Sequence, residues 1–277
     1  MSLSRPAAAT AVGADAAPPV GGRRRTLLLV ELTIVLALSL GRSGIYAAVN
    51  LLEAATAPGA LADQTASLHR SYAPDRPWFD LTYQVLSIVF SLVPIALAGY
   101  LLHLSGVHLR AVWAGGAARW RDGAGLDVAR GALLAAGVGS VGLAFYLLVH
   151  ALGFSATVVA DGLLGDHWWH LPVLVLSALE NALLEEFVVL GYVLVRLRQV
   201  GLGEWAALAV AAVLRGSYHL YQGLGGFVGN LVMGLLFGWL YRRWGRILPF
   251  VVAHWLLDIG AFVGYALLAG RVDWIPT

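Results

Sequence analysis

Residues Glu180 to Arg198 read ENALLEEFVVLGYVLVRLR, and the rest of the chain is organised around this segment. Its apolar residues predict a membrane-spanning helix, yet it carries the carboxylates of Glu180, Glu185 and Glu186. An ionised carboxylate at membrane depth costs roughly 3 kcal/mol or more. These side chains must therefore face protein or water, pair with a cation, or stay protonated. Two interpretations follow: a buried carboxylate used for proton chemistry, or an ion pair that locks helices together.

The composition of the 277 residues places the whole chain in a membrane. Hydrophobic residues make up 59% and charged residues 12% of the sequence, which is outside the range of ordinary soluble domains. The absence of cysteine excludes disulfides, iron–sulfur clusters, thiolate zinc sites and a cysteine nucleophile. We therefore expect an all-α, polytopic transmembrane helix bundle that contacts membrane lipid and has no nucleic-acid partner.

Seven spans are predicted when about 20 apolar residues are taken as the minimum unit. The first is interrupted by a glycine-rich stretch at 41–44, and the second is expected to bend at Pro94. The seven spans are expected at 26–52, 81–105, 131–152, 171–197, 205–221, 226–241 and 247–269.

The arginines indicate the orientation of these spans. With a cytoplasmic N-terminus, thirteen arginines fall on the cytoplasmic side and three on the far side. Such a bias is typical of the loops that stay in the cytoplasm. All 18 basic residues are arginine, which suggests a bacterial source. We expect an integral protein of the bacterial plasma membrane with its N-terminus in the cytoplasm.

Composition divides the chain into four regions. Residues 1–25, rich in alanine, proline and glycine, predict a disordered cytoplasmic tail. Residues 26–169 carry the N-terminal spans and a segment at 107–129 that mixes arginine with tryptophan, which predicts a cytoplasmic segment lying on the membrane surface. Residues 170–269 hold the intramembrane polar groups, and 270–277 form a tail.

Helical geometry separates the two adjacent glutamates of span four, because consecutive residues point about 100° apart. Glu185 shares a polar stripe with Asn181 and Ser177, and this stripe is expected to face the bundle interior. Glu186 lies on an apolar stripe with Ala182 and Leu190. It therefore needs a cation from another helix.

Two further spans carry polar residues at i and i+4. Span five has Arg215 and His219 on one face, and Arg215 is the natural partner for a span-four carboxylate. Span seven has His254 and Asp258, a spacing at which the carboxylate orients the imidazole. Straight helices place His219 about 20 Å and His254 about 10 Å from the cytoplasmic ends of their spans, so tilt or displacement of a helix is needed to bring them together.

Carboxylates and histidines gathered in a membrane cavity can activate water. A carboxylate takes the proton, a histidine assists, and other polar groups donate hydrogen bonds to the oxyanion. A zinc site is the neighbouring possibility, since two histidines and a carboxylate are a common ligand set, but no H-E-x-x-H motif is present. We rank metal-free water activation first and expect no cofactor, with a divalent metal such as zinc as the alternative.

Three motifs on three different helices resemble those of the CPBP family of intramembrane proteases, the CAAX endopeptidase and bacteriocin-processing type. The family pattern is E-E-x-x-x-R, then F-x-x-x-H, then H-x-x-x-N or H-x-x-x-D. The matching residues are Glu185-Glu186, His219 in LRGSYHLYQG, and His254 with Asp258 in PFVVAHWLLD.

The resemblance covers about residues 170–265 and implies that 170–269 is the catalytic core of an intramembrane endopeptidase. By this resemblance Glu185 activates water with the help of His219, and His254 and Asp258 stabilise the oxyanion. Glu186 would be structural or would tune Glu185. The implied partners are membrane-anchored or lipidated peptide and protein substrates.

The sequence departs from the family pattern at two positions. Leu190 stands at the arginine position and Arg215 at the phenylalanine position. Our hypothesis is that the guanidinium has moved from span four to span five and still neutralises the carboxylate pair. Glu186, Arg215 and Asn181 are thus expected to support the catalytic residues. Two alternatives remain: a non-catalytic membrane scaffold or immunity factor of the same fold, and a small proton-coupled transporter.

Overall fold

Residues 20–115, 117–160, 167–268 and 271 are described by a computed structural model. The expected N-terminal tail lies mostly outside the described residues, and so does the C-terminal tail apart from residue 271. The first helix begins at Gly22, so the three arginines at 23–25 are helical and do not belong to a disordered tail.

Ten α-helices account for most of the described part of the chain. They are α1 (Gly22–Ala37), α2 (Leu40–Thr56), α3 (Pro77–Leu104), α4 (Leu109–Ala114), α5 (Ala117–Ala151), α6 (His170–Glu186), α7 (Leu194–Gln199), α8 (Glu204–Ser217), α9 (Leu224–Trp244) and α10 (Leu248–Leu268). A π-helical segment, Phe187–Val193, joins α6 to α7 without a break in the chain direction.

The first predicted span is two helices rather than one. α1 and α2 meet at an angle of 55° across residues 38–39, a few residues before the predicted interruption. Ser39 marks the break, and its hydroxyl donates to the carbonyl of Val35 at 2.6 Å. A Cβ on Gly41 would stand 2.8 Å from the carbonyl oxygen of Leu36. The glycine therefore acts two residues after the bend, by allowing α2 to start close against the end of α1.

The all-α membrane fold is confirmed. Among the described residues four helices, α3, α5 (from Gly123), α9 and α10, are long and apolar enough to cross a membrane, and the bent α1–α2 pair would make a fifth span. The prediction of seven spans is not confirmed by length and composition. α8 has 14 residues, or about 21 Å of helix, which is shorter than a hydrocarbon core of about 30 Å.

The segment at 107–129, predicted to lie on the membrane surface, instead packs in part into the protein. Val112 and Asp127 are buried, and the Trp113 ring stacks on Phe187 of the π segment with centroids 5.6 Å apart. The carbonyl of Val112 accepts from the backbone N–H of Ile247, just before α10. α10 therefore begins beneath this segment and not at an exposed end.

Loops at one end of the bundle are tied together by backbone hydrogen bonds. Strands β1 (Thr65–Ser67) and β2 (Thr157–Val159) form a two-stranded parallel sheet between the α2–α3 and α5–α6 connections. An antiparallel bridge joins Ser155 to Gly223 in the α8–α9 connection. The three connections thereby hold one another, and this fixes the turn that follows α8.

Candidate active site

The two adjacent glutamates are the last residues of α6, directly before the π segment. Both side chains are buried, with Glu185 4% and Glu186 0% exposed. π segments inside helices are rare and occur frequently at functional sites. The polar pair thus lies where one helix changes its winding in the interior of the bundle.

Glu186 is held by a cation from another helix, as the sequence predicts. Arg215 Nη1 donates to Glu186 Oε1 at 2.6 Å, and both side chains are fully buried. His254 Nδ1 lies 2.8 Å from the same oxygen. The same Nδ1 lies 3.1 Å from Arg215 Nη2, a donor, but the shorter contact is with a carboxylate, which when ionised only accepts, and it favours a proton on Nδ1. That leaves Nε2 as the ring atom that faces the rest of the site.

Glu185 receives a different set of neighbours. The hydroxyl of Tyr218 donates to Glu185 Oε2 at 2.8 Å. Arg215 Nη2 lies 3.6 Å from this oxygen and His254 Nε2 lies 4.0 Å from it. Arg215 therefore contacts both carboxylates, and the ion pair expected between spans four and five is present.

Asp258 completes the α10 side of the site. Its Oδ1 is 3.5 Å from His254 Nε2, one helical turn away. Its Oδ2 accepts from Asn181 Nδ2 at 2.8 Å. The predicted polar stripe of α6 thus reaches α10, and Asn181 and His254 hold the Asp258 carboxylate from two sides.

His219 joins the site from a turn and not from a helix face. α8 ends at Ser217, so the predicted i, i+4 pair on one helix is wrong. His219 Nδ1 bonds the backbone carbonyl of Arg215 at 3.0 Å. A carbonyl can only accept, so Nδ1 carries the proton and Nε2 keeps a lone pair. His219 interacts electrostatically with Glu185, which brings the predicted residues of all three motifs together.

The turn after α8 depends on a glycine. Gly223 has φ +101°, and a Cβ there would stand 2.5 Å from the carbonyl oxygen of Phe154. Such a backbone conformation is essentially restricted to glycine. The backbone N–H of Ala156 donates to the carbonyl of Gln222 next to it. The loop network therefore fixes where the turn presents its side chains.

Close helix packing makes room for Arg215. A Cβ on Gly234 of α9 would lie 3.1 Å from Arg215 Cδ, and the guanidinium carbon is 5.4 Å from the centre of the Phe237 ring. One turn further along α9, a Cβ on Gly238 would lie 4.0 Å from Leu190 Cδ2. Leu190 and Arg215 therefore pack on the same stripe of α9, one turn apart.

Three site residues were missed by the sequence reasoning. Tyr218 bonds Glu185 directly, Tyr221 interacts electrostatically with Glu185 and Asp258, and Glu180 bonds Ser91 of α3 and faces the same two carboxylates. The tyrosines lie in a turn, where hydrophobic periodicity gives no signal. For Glu180 a signal existed, since it is a third carboxylate on the same span.

Within the described ranges, no set of three or more His, Asp or Glu side chains is arranged to hold a metal ion. Arg215 lies between the two glutamates, so a fixed positive charge occupies the place where their negative charges converge.

Comparison with known proteins identifies this region. Residues 167–260 match the family model described as Type II CAAX prenyl endopeptidase Rce1-like. No curated protein and no solved structure gives a significant match to the chain. The matched segment runs from just before α6 into α10 and contains every residue of the site. The resemblance seen in the three motifs is thereby confirmed for this segment, and the chain is an integral membrane protein whose residues 167–260 are similar to the CAAX-protease-like family.

Proposed function

We propose that this protein is an intramembrane endopeptidase that hydrolyses peptide bonds of membrane-associated or lipidated substrates with water activated by Glu185. One observation carries the proposal. The carboxylate of Glu185, buried at the end of α6, has His254 Nε2 4.0 Å from one oxygen and interacts electrostatically with His219 from a second element. Ionisable groups at such positions are rare and mark function.

The first step is proton abstraction from water. Glu185 accepts one proton, and the lone pair on His219 Nε2 accepts a hydrogen bond from the other O–H. The water oxygen then attacks the carbonyl carbon of the substrate. General-base catalysis of this kind contributes about 10²- to 10⁴-fold in rate.

The second step is stabilisation of the oxyanion and departure of the amine. A protonated His254 Nε2 donates to the developing oxyanion, and Asp258 at 3.5 Å favours that protonation. The carbon–nitrogen bond then breaks, and Glu185 returns its proton to the leaving nitrogen. The products are a carboxylic acid, which keeps the second proton of the water until it ionises on release, and an amine, with no group consumed from the protein.

The charge distribution supports hydrolysis without a metal ion. Arg215 lies 2.6 Å from Glu186 and 3.6 Å from Glu185. It supplies the positive charge that a divalent ion would otherwise bring to paired carboxylates. A second cation in the same place would meet the guanidinium at short range in a low-dielectric interior, where like charges repel strongly. We place the protein in a bacterial plasma membrane with its N-terminus in the cytoplasm, as the arginine bias suggests.

The test is cleavage by purified protein in liposomes. The probes are a fluorescent peptide ending in a farnesylated CAAX sequence and a set of single-span transmembrane peptides, with products identified by mass spectrometry. Wild type is expected to cut at least one probe, and Glu185→Gln to lose at least about 100-fold in rate. A chelator should leave the rate unchanged. Glu31→Gln, on α1 outside the site, is the control.

Three results would overturn the proposal. Undiminished cleavage by Glu185→Gln would show that Glu185 is not the base. Activity that is lost in a chelator and restored by zinc would show that the enzyme is a metalloprotease. A folded protein that cuts none of the probes would favour the non-catalytic scaffold, which Leu190 at the family arginine position already suggests. Proton-linked uptake by such a protein would favour the transporter.

A further inference from the structure

Tyr218 makes the shortest hydrogen bond to the proposed base, although the motif leaves its position open. It precedes His219 in the turn after α8, and its side chain is 6% exposed. Its hydroxyl donates to Glu185 Oε2 at 2.8 Å across 33 residues of chain. Buried polar groups are hydrogen-bonded in native structures, and the partner of the Tyr218 hydroxyl is the carboxylate of Glu185.

The two oxygens of Glu185 differ in their surroundings. Oε2 has the Tyr218 hydroxyl at 2.8 Å and the nearest nitrogens of Arg215 and His254 at 3.6 and 4.0 Å. Among the residues that the structure describes, none donates a hydrogen bond to Oε1. One oxygen is therefore anchored by the protein, and the other is left for a water molecule.

The position of Tyr218 is itself fixed. The turn that carries it is bridged to Ser155 through Gly223, and the Tyr218 and His219 rings lie with centroids 4.8 Å apart. A Cβ on Gly44 of α2 would stand 2.6 Å from the Ser217 hydroxyl, so α2 packs closely against the start of the turn. The turn after α8 is therefore held on both sides, and it fixes the Tyr218 hydroxyl beside Glu185.

We propose that Tyr218 is a positioning residue for the base: it holds Glu185 Oε2 so that Oε1 points to the water, and it favours the ionised carboxylate. The inference rests on the proposed role of Glu185. A hydrogen bond donated to a carboxylate stabilises its charged form, so the base stays unprotonated over a wider pH range. The titratable or charged groups that face Glu185 are Arg215, Tyr218, His219, Tyr221, His254, Asp258, Glu180 and Glu186.

The first test is the pH dependence of cleavage in Tyr218→Phe. Without the hydroxyl, the acidic limb of the kcat profile is expected to move to higher pH by about one unit, because the hydrogen bond that favours the ionised carboxylate is lost. KM should stay within about twofold, because ground-state substrate binding does not use the phenol.

The chain offers a matched control in Tyr192. Its hydroxyl also donates at 2.8 Å to a glutamate, Glu31, that pairs with a buried arginine, but this cluster lies outside the site. Tyr192→Phe should leave the pH profile of kcat unchanged. An unshifted profile in Tyr218→Phe, or an equal shift in Tyr192→Phe, would overturn the inference.

A second measurement needs no substrate. The carboxylate infrared band that disappears in Glu185→Gln is followed against pH in detergent-solubilised protein. Tyr218→Phe should shift both its frequency and its titration midpoint, and an unchanged band would refute the positioning role. This readout separates the present inference from the endopeptidase proposal, because it stands whether or not any peptide is cleaved.

If Tyr218→Phe does not fold, 3-fluorotyrosine incorporated at position 218 keeps the shape and makes the phenol a stronger donor. The infrared midpoint should then move to lower pH, opposite to the shift expected for phenylalanine. A midpoint that does not move, or moves upward, would contradict the inference.

Discussion

Arg196 and Arg215 are both fully buried, and each pairs with a glutamate that also accepts from a tyrosine. The Arg196 cluster is closed. All three of its nitrogens donate, to Glu31, to Gln199, and to Leu101 and Ser105 together. The Arg215 cluster is open, because the buried atoms Arg215 Nε and Glu186 Oε2 have no hydrogen-bond partner among the residues that the structure describes.

The two clusters also differ in the number and the exposure of the carboxylates that face the arginine. Arg196 faces one carboxylate, that of Glu31, which is 22% exposed. Arg215 faces two glutamates with almost no exposure, and Asp258 lies beyond His254. A satisfied buried network stabilises a fold, whereas unsatisfied polar groups cost free energy. The closed cluster therefore fits a structural lock between helices, and the open one fits a site that is completed by water and substrate.

The largest expected effect is that of Arg215→Leu, which leaves the fully buried Glu186 without its guanidinium and with only the His254 imidazole at hydrogen-bond distance. Removing one partner of a buried pair costs about 3–5 kcal/mol, which is a large part of the stability of a typical protein. We expect little monodisperse protein after detergent extraction and a sharply lowered unfolding temperature. The measurement is size-exclusion yield with thermal unfolding.

Leu190→Arg in the same background is the rescue. Leu190 and Arg215 pack one turn apart on α9, so an arginine at 190 can bring a guanidinium back to Glu186. Recovery of folded protein would support the idea that the charge can come from either helix. An Arg215→Leu protein as stable as wild type would refute the role given to this pair.

The next effect in size is that of Gly223→Ala, which tests how the open cluster is assembled. The new Cβ would meet the Phe154 carbonyl at 2.5 Å while the backbone sits at φ +101°. Gly201→Ala is matched, since Gly201 has φ +96° and nothing within 4 Å of its Cβ position. Strain alone costs about 1–3 kcal/mol, so both variants lose stability, but only Gly223→Ala should displace His219 and lose cleavage.

Much of the open cluster could be predicted from the sequence. Charged residues are so unfavourable in lipid that Glu185, Glu186, Arg215, His254 and Asp258 stand out against an apolar background. The need of Glu186 for a cation from another helix follows from its apolar stripe, and Arg215 was the one intramembrane candidate on the neighbouring spans. Helical periodicity and the free energy of charge burial are sufficient to predict these residues of the open cluster.

The remainder depends on where helices end, which hydrophobicity does not determine. His219 was placed on span five, but α8 stops at Ser217 and a glycine turn carries the histidine. Residue counting placed His219 and His254 at different depths by treating the start of α10 as a membrane surface. Arg246 and Ile247, just before α10, are buried beneath the 107–129 segment, so a distance counted from the start of α10 is not a distance from the membrane surface.

Arg196→Met tests the closed cluster and should have a smaller effect than Arg215→Leu. Glu31 can reach water once its partner is gone, so the loss is about 1–3 kcal/mol, the scale of a buried group left unsatisfied. Activity per folded molecule should equal that of wild type. A loss of kcat larger than the loss of folded protein would mean that the closed cluster is coupled to the site.

The smallest effect is expected from Gly234→Ala, which narrows the space beside Arg215 without removing a charge. Alanine in a helix is favoured over glycine by about 0.5–1 kcal/mol, and this gain offsets the two contacts at 3.1 Å, with Arg215 Cδ and with Ala212 Cα of α8. Stability should therefore change little, whereas kcat should fall as the guanidinium shifts between Glu185 and Glu186. Gly229→Ala is the control, because its Cβ would make only an ordinary contact with Phe145 at 3.4 Å. It should stabilise α9 slightly and leave kcat unchanged, so equal rates in the two variants would show that the exact place of Arg215 does not matter to the open cluster.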